Sequence, residues 1–415
     1  MLHLIKYFAA VIVAFVMTLA GGGRIGAQAP TDVSGTWTAE FHNGKVFLQV
    51  RSSQRDDGRD WSGNWSIGQS LAADEIQGLP ANDEHFTAQT VKFELRREAG
   101  TIALDGAFRD GQGAGLFRFT PRAEYTAEMK ALGYSDDLDL WRRFQLAIHD
   151  VGPKYVKALA AEGFSKLSLD EVQRAKTHGV SIEYIRDMKA LGYKTAAIDG
   201  LVRAHDHGVA PDYIKSLKAA GYSELSLDDL VRVHDHGISV GYIQELDRAG
   251  FKKLALEDLV RTHDHGVNAK FIDELRGQGI TETTVEGYIK LHDHGIHADY
   301  ITSLKAAGYT KLDSADLVRV HDHGVKAEFI RDLKAQGFKD LTLDEIIRLH
   351  DHGVTLDYIT DMKALGIKDL TMDQLVRLRD QGITPGFVNH VRAKGIKDAT
   401  ADELVRLKNG GLWKQ

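Results

Sequence analysis

A constant step of 29 residues governs most of this chain. The tetrapeptide His-Asp-His-Gly begins at 205, 234, 263, 292, 321 and 350. Carrying the step outward meets Lys176-Thr177-His178-Gly179 upstream, then Arg379-Asp380-Gln381-Gly382 and Lys408-Asn409-Gly410-Gly411 downstream. His149-Asp150-Val151-Gly152, two residues short of the step, reads as a tenth copy. A tandem period of this length means that each unit is one supersecondary element, unable to bury its apolar face except against its neighbours.

One unit, HDHGVAPDYIKSLKAAGYSELSLDDLVRV, shows how. Pro211 suits the first turn of a helix, where no backbone N–H is needed. Tyr213, Ile214, Leu217 and Ala220 follow on one helical face, and Gly221 ends the helix as a residue able to take positive φ. Ser226-Leu227-Asp228-Asp229 has the form of a capping box, repeated as Ser168…Glu171, Thr342…Glu345 and Thr400…Glu403. Leu227, Leu230, Val231 and Val233 form the apolar face of a second helix, which Gly237 stops, with Ile238 placed for the apolar contact of a Schellman motif. Helices this short are marginal alone, so residues 125–411 are expected to stack as an α-solenoid of about ten two-helix units.

Residues 31–123 have a different period. Trp37, Ala39 and Phe41 share one face of a strand, as do Val46, Leu48 and Val50. Trp61, Gly63, Trp65 and Ile67 form a third run, Val91, Phe93 and Leu95 a fourth, Ile102, Leu104, Gly106 and Phe108 a fifth, and Phe117 with Phe119 a sixth. Period-2 runs punctuated by Gly, Asp and Asn predict a small antiparallel β sandwich or barrel. Gly35-Thr36-Trp37 resembles the Gly-x-Trp that opens lipocalin-like barrels, a motif too short to carry a ligand.

The N-terminus pairs Lys6 with an apolar run from Phe8 to Ala20 and small residues at Ala27 and Ala29. This is a secretory signal pattern, shorter than the ~20 residues that span a bilayer. It predicts export to the periplasm or beyond with cleavage after Ala27, and membrane contact only through this segment if it is uncleaved. The chain has no cysteine, which excludes disulfides, lipid-modified cysteine and thiolate metal sites. A net charge of −7 with 27% charged residues gives no basic field for nucleic acid.

Two imidazoles flanking a carboxylate suggest metal, and the candidate edge comprises His205, Asp206, His207, His234, Asp235, His236, His263, Asp264, His265, His292, Asp293, His294, His321, Asp322, His323, His350, Asp351 and His352. Zinc wants about four donors, yet residues i and i+2 of a helix point roughly 200° apart, so one copy cannot chelate alone. The motif instead falls in the last turn of the second helix, where carbonyls and the negative end of the dipole favour cations. Outlying copies put Lys176, Arg379 and Lys408 in the first position and Gln381 in the third, which suits capping better than chelation. The Asp opposes the dipole, so an arginine three residues earlier (Arg203, Arg232, Arg261, Arg319 or Arg348, with Lys290 in one copy) or a histidine of the next unit, in an Asp–His ladder, is expected to offset it. No metal is assigned; zinc or nickel on the same histidines is the alternative, and pH-dependent switching a third use. The aromatic series Tyr184, Tyr213, Tyr242, Phe271, Tyr300, Phe329, Tyr358 and Phe387 reads as core between units rather than as a platform for sugar or peptide.

Gly-(Val/Ile)-x-x-x-(Tyr/Phe)-Ile-x-x-(Leu/Met)-Lys-Ala-x-Gly-Tyr, behind Phe93-Glu94-Leu95-Arg96-Arg97-Glu98-Ala99-Gly100 and Gly115-Leu116-Phe117-Arg118-Phe119-Thr120-Pro121, resembles exported bacterial proteins of unassigned function. It is similar also to extracytoplasmic tails of membrane metallopeptidases of the β-lactam sensor-transducer type. The resemblance implies an envelope location and a sensing or scaffolding context. It brings no protease activity, because the His-Glu-x-x-His helix that holds zinc is missing. No nucleophile elbow, phosphate loop or catalytic carboxylate pair stands out. The sequence therefore predicts a non-enzymatic protein that binds a protein partner in the cell envelope along a helical-repeat surface, with no cofactor. Its alternative is a periplasmic divalent-metal-binding protein.

Overall fold

The computed structural model describes residues 33–42, 45–52, 65–72, 75–78, 89–134, 138–367 and 370–411. The signal segment, Trp61 and Gly63 lie outside them. The chain divides into two compact units, one ending at Val202 and the other beginning at Arg203.

The first unit opens with β1 (Val33–His42), β2 (Lys45–Ser52), β3 (Trp65–Ala72), β4 (Gln89–Arg97), β5 (Gly100–Arg109) and β6 (Gln112–Pro121). They form one antiparallel sheet in the order β3-β2-β1-β6-β5-β4, curled as a half-barrel rather than split into two layers. The period-2 residues face inward: Trp37, Phe41, Val46, Leu48, Phe93, Leu104, Phe108 and Phe117 are all at most 6% exposed. Trp37 meets Phe93 edge-on at 5.1 Å, and its indole N–H donates to the Asp105 carbonyl at 3.2 Å, which settles the buried donor.

Helices follow in pairs. They are α1 (Tyr125–Ala131), α2 (Leu140–Ile148), α3 (Pro153–Ala161), α4 (Leu169–Thr177), α5 (Ile182–Ala190), α6 (Ile198–Asp206), α7 (Pro211–Ala219), α8 (Leu227–Asp235), α9 (Val240–Arg248), α10 (Leu256–Asp264), α11 (Ala269–Gly277), α12 (Val285–Asp293), α13 (Ala298–Ala306), α14 (Ser314–Asp322), α15 (Ala327–Ala335), α16 (Leu343–Asp351), α17 (Leu356–Ala364), α18 (Met372–Asp380), α19 (Pro385–Ala393) and α20 (Ala401–Asn409). This is the expected two-helix solenoid behind a β domain. In the unit from Arg203, first helices pack on first helices and second on second, as α9 on α11 and α10 on α12, and in the first unit α1 packs on α3. None of the described helices is long and apolar enough to cross a membrane.

The first compact unit includes helices as well as the sheet, because α2 closes the sheet's apolar face. Phe144 stacks on Phe117 at 5.2 Å with the rings 8° from parallel, and Phe144 is fully buried.

Local signals act as read. Pro153, Pro211 and Pro385 open helices. Capping boxes form at Ser168, Ser226, Thr342 and Thr400, and also at Thr371 with Gln374. Gly208 and Gly237 sit at φ +74° and +70°. At the second, Gly237 N–H donates to His234 O and Ile238 N–H to Val233 O, both at 2.9 Å, which are the two bonds of a Schellman motif.

One register needs correcting. His149-Asp150-Val151-Gly152 is not a copy displaced by two residues: α2 and α4 begin at Leu140 and Leu169, a full step of 29. His149 is the C-cap of α2 and so matches the motif's second histidine. Asp150 takes the glycine's place at φ +54°, and Val151 N–H closes the motif on Leu146 O at 2.8 Å. Asp tolerates the left-handed region better than most side chains, which let a tetrapeptide of the right letters sit in the wrong frame.

Candidate functional site: the histidine edge

In the five motifs from His234 onward, the three side chains go to two different joints between neighbouring helix pairs. The second histidine is the C-cap, its helix already ended, and it turns toward the following pair. His207 Nδ1 lies 2.8 Å from Asp235 Oδ1, His236 2.9 Å from Asp264, His265 2.9 Å from Asp293 and His294 2.8 Å from Asp322. His323 reaches Asp351 at 2.8 Å and His352 reaches Asp380 at 2.7 Å. The anticipated Asp–His ladder is therefore present from Asp235 to Asp380, with its direction reversed: each of these Asp residues is held by a histidine of the preceding pair. These side chains are about two-fifths exposed (His294 37%, Asp322 45%), so each contact belongs with surface pairs worth ~0–1 kcal/mol.

The first histidine does something else. His234 meets Tyr213 edge-to-face at 5.3 Å, and His263 meets Tyr242 at 4.9 Å. His292 meets Phe271 at 5.0 Å, His321 meets Tyr300 at 5.0 Å and His350 meets Phe329 at 5.6 Å. Where this position is not histidine, a cation lies over the same ring: Lys176 over Tyr155 at 5.0 Å, Arg379 over Tyr358 at 5.2 Å and Lys408 over Phe387 at 4.8 Å. A ring face attracts a positive edge or a positive charge alike. The substitutions thus follow the aromatic partner as well as the helix dipole. His205 and Asp206 occupy the same two places in the last turn of α6.

Of the aromatic series Tyr184, Phe271, Tyr358 and Phe387 are buried between helix pairs, as expected, while Tyr213, Tyr242, Tyr300 and Phe329 are only partly buried, and the tyrosines carry a polar handle. Tyr213 O–H donates to Ile238 O at 2.7 Å, Tyr242 to Val267 O at 2.7 Å, and Tyr358 to Ile383 O at 2.8 Å. Burial pushes the phenols of Tyr213, Tyr300 and Tyr358 up to about 12.

The arginines depart from expectation. Arg232, Arg261 and Arg348 carry their ion pairs not to the Asp three residues on but to the first turn of the next second helix. Arg232 pairs with Glu257 at 2.6 Å, Arg261 with Glu286 at 2.8 Å and Arg348 with Asp373 at 2.6 Å. The sequence holds the signal, an acid 25 residues after each arginine, and Lys290 is the exception with Ala315 there. A carboxylate in a first turn also meets the favourable end of its helix dipole. A further joint was not anticipated at all. Lys189 Nζ donates to Glu162 O at 2.6 Å, Arg276 to Ala249 O at 2.6 Å, Lys305 to Gln278 O at 2.8 Å and Lys334 to Ala307 O at 2.6 Å. Each caps an orphan carbonyl at the end of the preceding first helix. The Arg186 and then the Lys189 hydrogen bonds hold the Glu162 carboxyl below its usual range.

Each ladder step supplies one imidazole whose Nδ1 already faces a carboxylate. Among the described residues no three His, Asp or Glu side chains converge as a metal site. Neither a protein-family model nor a curated protein matches the chain.

Proposed function

We propose that this chain is an exported, non-enzymatic interaction or scaffold protein that binds a protein partner in the cell envelope along its helical-repeat surface. The observation that carries the reading is a contrast within the array. Positions that join neighbouring pairs repeat almost unchanged: His or Lys/Arg at the ring, Asp under the preceding histidine, Arg toward the next acid. Exposed positions on the first helices vary freely, as Asp212, Gly241, Lys270, Asp299, Glu328, Asp357 and Gly386 do at one site. A constant frame presenting a varied, extended face is how solenoids recognise proteins. The N-terminal signal pattern supports export, and the resemblance to envelope sensor tails supports the setting.

The experiment is capture from envelope extract by the immobilised mature chain. Recovery of a small set of proteins, displaced by soluble chain, supports the reading; recovery that soluble chain does not displace contradicts it. The second reading, divalent-metal binding on the same histidines, draws on one observation: a carboxylate on Nδ1 is the arrangement found behind metal-bound imidazoles.

A further inference from the structure

From α3 onward the joints between first helices end alike, with one exception. Between α9 and α11, Arg276 donates to the Ala249 carbonyl and lies over the Phe251 ring at 5.5 Å. Lys334 does the same to Ala307 O and to Tyr309, 4.9 Å from the ring centre. Lys363 does so to Gln336 O and to Phe338, at 5.3 Å. Lys189, Lys305 and Arg392 donate to the equivalent carbonyls of Glu162, Gln278 and Leu365, and Lys218 holds the position between α5 and α7. Between α7 and α9 the same step of 29 brings Asp247.

The rest of that joint is kept. Ala220 is the C-cap of α7, and Gly221 turns the chain at φ +97°. Tyr222 donates to Leu254 O at 2.9 Å, as Tyr309 donates to Leu341 O at 2.5 Å. Yet among the described residues no side chain donates to the Ala220 carbonyl, and no cation lies over the Tyr222 ring. Asp247 faces that ring instead: burial, and then the Asp247 charge, raise the Tyr222 phenol above its ordinary value. Asp247 also stands in the last turn of α9, where a carboxylate opposes the helix dipole. The exchange of cation for anion therefore serves neither its own helix nor the one before it.

Lys253 is the chain's nearest substitute, and it does not complete the joint. Its Cε comes within 3.8 Å of where a Cβ on Gly221 would stand, the place that Lys334 Nζ and Arg392 Nη2 take at Gly308 and Gly366. It reaches there from a backbone at φ +53°, which L side chains resist. Among the described residues it has no hydrogen bond or ion pair.

We propose that the α7–α9 joint takes a lysine or arginine side chain of a protein partner where the other joints take one from the chain itself. The charged head sits on the Ala220 carbonyl and the Asp247 carboxylate, and the stem or guanidinium plane lies over Tyr222. The chain's own lysines and arginines show what such a carbonyl and ring bind, and Asp247 turns the place toward a cation from outside. The proposal rests on the protein-binding reading and names one contact of it.

The probe is acetyl-Gly-Arg-Gly-amide, set against the same peptide with citrulline, which keeps the shape and loses the charge. Amide shifts of the full chain are followed during titration. The arginine peptide saturably moves the Gly221 and Tyr222 amides and the citrulline peptide does not. Asp247→Lys gives the joint the side chain of its neighbours. It raises the melting temperature and weakens the arginine peptide by about tenfold, through the lost pair and the new like charge. Lys253→Gly accepts the positive φ freely and binds at least as tightly as the parent. Equal shifts from both peptides, an unaltered affinity in Asp247→Lys, or lost binding in a folded Lys253→Gly overturns the proposal. If Asp247→Lys still captures the displaceable envelope proteins as the parent does, this contact fails while the wider reading stands.

Discussion

His236 Nδ1 and Asp264 Oδ1 lie 2.9 Å apart across the joint between consecutive second helices. Asp264 is the last residue of α10, where a negative charge opposes the helix dipole at ~0.3–1 kcal/mol. The imidazole of the pair before it supplies the donor that its own helix lacks. The motif is thus a joint whose three side chains serve two neighbours: His236 reaches forward to Asp264, while His234 leans back on Tyr213.

The first histidine should accept replacement by a cation. His263→Arg is expected to hold the melting temperature within the equivalent of about 0.5 kcal/mol, because Arg379 already lies over Tyr358 in this way. His263→Ser should lose the ring contact, about 0.5–1.5 kcal/mol. Equal loss in both variants would show that the aromatic partner is not what the position serves.

Gly237 is at φ +70°, and a Cβ there would meet only an ordinary contact, 3.5 Å from His263 Cε1. The obstacle is therefore backbone conformation. Gly237→Asn should be tolerated better than Gly237→Val, by about 1 kcal/mol or more. At Gly208 the added Cβ would stand 2.9 Å from His234 Cε1, so Gly208→Asn should be worse than Gly237→Asn. Thermal melts of the three variants give the order, and the reverse order would refute the cap argument.

Much of this was legible in the sequence because the information was local. Period, caps and glycine stops each lie within a few residues of what they specify, so Pro211, Ser226 and Gly237 act as read. The inter-unit contacts were less legible, because packing decides which neighbour a side chain reaches. The Asp–His ladder was foreseen but not its direction. Arg232 was given the nearby Asp235, when the stacked helices bring Glu257 to it at 2.6 Å. Lys334 reaches Ala307 O, a main-chain atom with no letter of its own. At 149–152 the letters themselves misled, because Asp150 took a glycine's conformation.

Modularity follows from joints that link only adjacent pairs. Deleting 263–291 in frame removes one full step of 29 and should leave a folded, shorter array. Removing about half as many residues from the same place should break the register of every later joint and lower helicity and melting temperature sharply. Equal damage from both deletions would mean that 29 residues is not the stacking unit.

His149 gives a pH dependence with a definite sign. Burial, and then the charge of Arg142, holds its imidazole below the usual value. The folded chain keeps it neutral while the unfolded chain takes up a proton below about 6.5. Its stability penalty is absent above that pH and grows as pH falls from there toward the folded value. His149→Gln, the residue found at Gln381 in the equivalent place, should reduce this loss. Stability curves of parent and variant should run parallel above about pH 7 and diverge below about 6.5; parallel curves throughout would contradict it.

The most direct test of the histidines as joints is a thermal melt of the exhaustively chelated full chain with and without added zinc or nickel, paired with calorimetric titration. If the edge is architecture, the melting temperature barely moves and no stoichiometric heat appears. If the edge is a metal site, metal raises the melting temperature by mass action, acid reverses the rise, and several equivalents bind per chain. That second result would contradict the account and establish the metal-binding reading in its place.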